Sequence, residues 1–134
     1  MCNSLFYVKA LQFAQLFRDI PKVVEARNKD CGVMPLGEKG DGYTRLGLSL
    51  PEVRRAISKA YGYGDCRVRF AFAKKWSDYP VMTPEPRLEI YDIEGKPLME
   101  PVPLHELPEE LSTAVEVELM YVLLLSRGVE ISML

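Results

Sequence analysis

With 134 residues and a mass of 15.2 kDa, the chain is the size of one ordinary domain, long enough to bury a core and too short for two independent ones. Apolar residues at 48% and charged residues at 27% exclude wholesale disorder, and a net charge of -2 excludes a uniformly basic or acidic protein. The charge is unevenly spread: residues 1–43 hold six Lys/Arg against five Asp/Glu (+1), residues 44–75 eight against two (+6), and residues 76–134 three against twelve (-9).

Such a layout supplies either a basic surface for an anionic partner or two parts that neutralise one another in the fold. The three cysteines, Cys2, Cys31 and Cys66, are odd in number and far apart, which argues against a disulfide framework and for a reducing compartment. The N-terminal stretch lacks a basic leader and a small-residue cleavage pattern. The apolar run Leu119 to Leu125 is far shorter than a membrane span. A cytoplasmic protein with no membrane contact is expected.

Within Ser4 to Arg27, the residues Phe13, Ala14, Leu16, Phe17 and Ile20 recur at spacings of three and four, the period of an amphipathic helix. Pro21 should kink this helix or begin a second one, which Lys22 to Asn28 continues; Leu5 to Ala10 reads equally as an initial strand. Asp30 to Gly47, with five glycines, reads as a Gly-rich loop (31–47) without the Gly-Lys-Ser/Thr ending of a phosphate-binding loop.

Ser49-Leu50-Pro51-Glu52 matches a capping box: a serine N-cap, a proline in the first turn and a glutamate three residues on. The helix it opens places Leu50, Val53, Ala56, Ile57, Ala60 and Tyr61 on one face and Arg55 and Lys59 on the other; Gly62 and Gly64 end it. From Cys66 to Ala73 the period becomes two, with Val68, Phe70 and Phe72 inward and Arg67, Arg69 and Ala71 outward.

Pro80 to Pro108 contains seven prolines, so strands there must be short or lie at sheet edges. Arg87 to Asp92 alternates, Gly95 fits a hairpin loop, and Lys96 to Val102 is the expected returning strand. Pro108-Glu109-Glu110 starts like a helix, although Val115 to Leu125 also alternates like a strand. The start and stop signals favour the helix, in which Glu118 falls inside the apolar stripe and needs a buried partner. Val129 to Met133 reads as a terminal strand.

The chemistry of catalysis is thinly represented. His105 is the sole histidine and lies in a proline-bounded connection. A zinc site from Cys31, Cys66, His105 and Cys2 lacks closely spaced ligands. Glu94-Gly95-Lys96 has the Glu-x-Lys form of metal-dependent nucleases, with Asp78 the nearest upstream acid, but occupies the expected hairpin tip. No catalytic residue, metal or cofactor is assigned.

One basic constellation stands out: Arg54, Arg55, Lys59, Arg67, Arg69, Lys74, Lys75 and Trp76. Leu46-Gly47-Leu48-Ser49-Leu50-Pro51-Glu52-Val53-Arg54-Arg55 resembles the helix start of MerR-type transcription regulators. A helix-turn-helix needs a second helix after Gly64, where this chain reads as strand, so no residue role is carried over. The expectation is an α+β single domain: a small, mainly antiparallel sheet packed with two to three helices. Its expected function is that of a non-catalytic regulatory or interaction protein, docking through the basic constellation onto an acidic surface of a larger protein assembly, such as a nucleic-acid-processing or transcription complex. The alternative is direct nucleic-acid binding, and a small hydrolase or metal-dependent nuclease comes third.

Overall fold

The computed structural model describes residues 12–31, 42–73 and 85–126. Residues 12–18 form helix α1, which sends Ala14 and Phe17 into the core. The chain breaks at Asp19, and Pro21 starts a second helix, α2 (Pro21–Asp30), at the position where its missing N–H costs no hydrogen bond. The alternative strand at Leu5 to Ala10 and the terminal strand at Val129 to Met133 lie outside the described residues.

The expected Gly-rich loop is corrected at its C-terminal end, because Tyr43–Leu48 is a strand, β1. Gly42, with φ 77°, turns the chain into it. Thr44, Leu46 and Leu48 then alternate with Tyr43, Arg45 and Gly47, a period of two carried through a segment with glycine at both ends. Helix α3 (Pro51–Tyr61) follows, burying Val53, Ala56 and Ile57, while Ala60 stays exposed. Its predicted serine cap is also corrected: the N-cap is Leu50, with no side-chain cap. Ser49 is one residue too early, and its hydroxyl accepts instead from Arg27 Nη2 at 2.8 Å. Gly62 ends the helix at φ 81°, in the left-handed region that an L side chain enters at a cost.

Strand β2 (Arg67–Ala73) is central, and β3 (Arg87–Tyr91) returns beside it. The predicted returning strand after Gly95 is shorter than expected. It shrinks to a bridge between Tyr91 and Pro97 and the two-residue strand β4 (Val102–Pro103), since Pro97, Pro101 and Pro103 have no N–H to give a ladder. A 3₁₀ turn at Leu104–Glu106 leads to helix α4 (Glu109–Ser126). The chain is therefore an α+β domain, with four α-helices among the described residues and an antiparallel sheet in the order β1-β2-β3-β4.

The sheet has two unlike faces. Leu46, Leu48, Val68, Phe70, Phe72, Leu88 and Ile90 share one buried cluster with residues of all four helices, including Phe17, Val24, Ile57, Leu111, Val115 and Leu119. Phe17 lies 6.2 Å from Phe70 and 6.0 Å from Phe72, in the range where aromatic rings attract beyond their area burial.

One charge sits within this apolar layer. The Glu118 side chain is 0% exposed, and it has three partners: Arg27 of α2, and the Ser49 N–H at 2.7 Å and the Leu50 N–H at 3.0 Å in the connection that opens α3. The carboxylate thus ties α4 and α2 to the start of α3. This is the buried partner that the helical reading of residues 114–125 requires.

Candidate functional site

The opposite face of the sheet carries side chains of a different kind. Pairing puts Arg45, Ala71 and Arg87 in one row across three strands, and Gly47, Arg69 and Glu89 in the next. Because Ala71 and Gly47 are small, the long guanidinium chains beside them can bend over the sheet toward the single carboxylate.

They do so. Arg45 grips Glu89 with both arms of its fork, Nε donating to Oε1 at 2.8 Å and Nη2 to Oε2 at 3.2 Å. Arg69 Nε donates to Oε1 at 2.6 Å, and Arg87 Nη2 to Oε2 at 3.2 Å. Two tyrosines hold the cations from the sides: the Arg87 guanidinium lies 4.1 Å from the ring centre of Tyr43, and that of Arg69 lies 4.7 Å from Tyr91. Arg87 keeps donors unspent, and its Nε, shielded from solvent, has no hydrogen-bond acceptor.

Burial alone would push the Glu89 carboxyl up, but the Arg45 hydrogen bond and the charges of Arg69, Arg45 and Arg87 outweigh it and hold the group below the usual carboxylate range. Glu89 therefore stays ionised, with three cations gathered on one anion. Beside this knot opens a groove of about 710 Å³, bounded on its far side by Pro97, Leu98, Met99 and Pro101, with Glu100 among its lining residues.

The predicted basic constellation is divided by the fold. Arg55 pairs with Glu52 at 3.1 Å and Lys59 with Glu110 of α4 at 2.9 Å, both on the solvent side of α3. Arg69 belongs to the knot on the other side of the sheet. Arg54 and Arg67 are exposed, and among the described residues neither makes an ion pair. Lys74, Lys75 and Trp76 lie outside the described residues. The cations of α3 and those of β2 thus face away from each other across the core.

Sequence reasoning missed Arg45, Arg87, Glu89, Tyr43 and Tyr91. The available signal was the alternation Tyr43/Arg45 and Arg87/Glu89/Tyr91, with long polar side chains at every second position of two strands.

Of the residues considered for catalysis, Cys2 and Asp78 lie outside the described residues, and the others are dispersed. His105 sits in the 3₁₀ turn with Nδ1 2.6 Å from Glu85 Oε1, a hydrogen bond that raises its pKa. Cys66 is buried, and burial pushes its thiol up, away from the reactive thiolate. Glu94 and Lys96 flank Gly95 (φ 91°) at a hairpin tip, where both backbone N–H groups donate to Asp92 Oδ1. No group of three His, Cys, Asp or Glu side chains placed to hold a metal ion occurs among the described residues. The chain matches no protein-family model, no curated protein and no solved structure.

Proposed function

We propose that the protein is a non-catalytic interaction protein that docks onto an acidic surface of a larger protein, using the arginine-bearing face of its sheet. The observation that supports this reading is the convergence of Arg45, Arg69 and Arg87 on Glu89 beside an open groove, with exposed Arg67 on the same face. Arg45 and Arg69 are about nine-tenths buried, so the member of the knot that reaches solvent is Arg87, 29% exposed; fixed by the Tyr43 ring and Glu89, its guanidinium is pre-organised and loses less freedom on meeting an anion. The α3 cations are weaker candidates, because Arg55 and Lys59 already have acidic partners within the chain.

Affinity capture from host extract tests this reading. A stoichiometric protein partner should be retained by the Arg55→Glu/Lys59→Glu variant and lost by Arg67→Glu. Retention by Arg67→Glu together with loss by the α3 variant would move the docking surface to the helix.

A further inference from the structure

The structure assigns His105 and Glu85 a regulatory role, that of a proton-dependent latch fastening the β4 edge of the sheet, and the turn that leads into α4, to the segment that enters β3. The chain needs a fastening at this point. Strand β4 is two residues long, and its Pro103 has no N–H to give the ladder. Directly after it, Leu104 and Leu107 enter the core, so the 3₁₀ turn that carries Leu104 fixes where α4 begins.

Among the described residues, three hydrogen bonds join this turn to residues 85 and 86, and Glu85 takes part in two of them. The Leu104 N–H donates to the Pro86 carbonyl at 3.3 Å and the His105 N–H to Glu85 Oε1 at 3.3 Å, while His105 Nδ1 lies 2.6 Å from the same oxygen. Only the ring bond can change its strength with pH through the ring's own charge. Neutral, with its proton on Nδ1, the imidazole donates an ordinary hydrogen bond; protonated, it adds a charge, and charge-assisted bonds are roughly twice as strong.

The ring is 39% exposed, so protons reach it without unfolding. Among the described residues, the charged groups that face it are Glu85, from the segment before β3, and Glu106 of its own turn, 3.9 Å from Nε2. Both are acidic and favour the added proton. The Glu85 hydrogen bond is the largest influence and, with the two negative charges, outweighs the cost of burial and raises the pKa of the ring. The added strength is therefore fully present below the unfolded value of about 6.5 and is lost as pH rises through the folded value. The easing is felt first at β4, whose Pro103 lies across from Arg87, and at Pro101 in the wall of the groove.

NMR of the full chain tests the latch, and the sole histidine gives a single imidazole to follow. The ring should titrate with a midpoint above about 6.5 in the native protein and near 6.5 in Glu85→Gln. The Leu104 and His105 amides, read by hydrogen exchange corrected for the intrinsic rate, should be about two- to fivefold better protected near pH 5.5 than near pH 8.5, the span of an exposed ion pair. Glu85→Gln should abolish that difference. His105→Gln, which keeps a donor but cannot take the charge, should hold both amides at the weaker protection throughout. A native midpoint at or below 6.5 overturns the inference. So does a raised midpoint without the change in protection, since the two residues then form a surface pair that fastens nothing, and so does a pH-dependence of protection that survives in His105→Gln.

Discussion

Two buried carboxylates, Glu118 and Glu89, show how the same side chain serves the core and the surface differently. Glu118 replaces solvent for Arg27 and for two backbone N–H groups that precede α3. Truncating it strands a cation and two donors in an apolar layer, so Glu118→Ala should cost roughly 3–5 kcal/mol. Urea unfolding should show this as a lower midpoint at unchanged slope, and a loss under 1 kcal/mol would mean that water reaches the site. Glu89 makes a pH prediction. Its folded pKa is depressed, so its stabilising contribution is present above the unfolded value of about 4.3 and is lost as pH falls through the folded value. The stability gap between the native protein and Glu89→Gln should therefore be widest near neutrality and close in acid; a gap constant with pH would show that the arginines do not hold the charge.

At the scale of elements, α3 was legible from its apolar period, Pro51 in its first turn and Gly62 at its end, although its serine cap was misplaced, and β2 was legible from its period of two. In α4 the signals disagreed, since Val115 to Leu125 satisfies both periods, and the deciding interaction is Glu118 with groups about ninety positions and about seventy positions away in the chain. No local pattern encodes such partners. Strand β1 was missed because its glycines read as loop, although its inward Leu46 and Leu48 are fully legible as core. What protects β1 was also not legible. Asn28 of α2 donates from Nδ2 to the Arg45 carbonyl at 2.7 Å and accepts the Gly47 N–H at 2.7 Å, taking two ladder positions that an added strand would use. Edge strands left open in this way recruit other chains. Asn28→Ala should cost about 1–3 kcal/mol and promote concentration-dependent association, measurable by light scattering; a monodisperse variant at high concentration would assign edge protection to α2 as a whole.

For the whole molecule, the uneven charge along the sequence left two readings open, a basic docking surface or internal neutralisation, and the fold contains the second while leaving Arg67 exposed. Lys59 meets Glu110 and Arg69 meets Glu89, each pairing the basic middle of the chain with its acidic C-terminal part. The candidate face was only half legible: Arg67 and Arg69 were named, but their companions Arg45 and Arg87 arrive from strands whose pairing no local pattern specifies. The two sets of cations should respond differently to salt. The exposed pairs on α3 lie across the core from the groove, and charges that distant act on a ligand only through the long-range field. Its reach is about 8 Å at physiological ionic strength and roughly 30 Å at 0.01 M salt. Reversing Arg55 and Lys59 to glutamate should therefore weaken binding of the protein partner in dilute buffer and lose its effect near 0.15 M salt. Arg67→Glu, which places a like charge against the ligand itself, should weaken binding under both conditions. If the α3 reversal is felt equally at both salt concentrations, the ligand touches α3 and the sheet face is not where it lies.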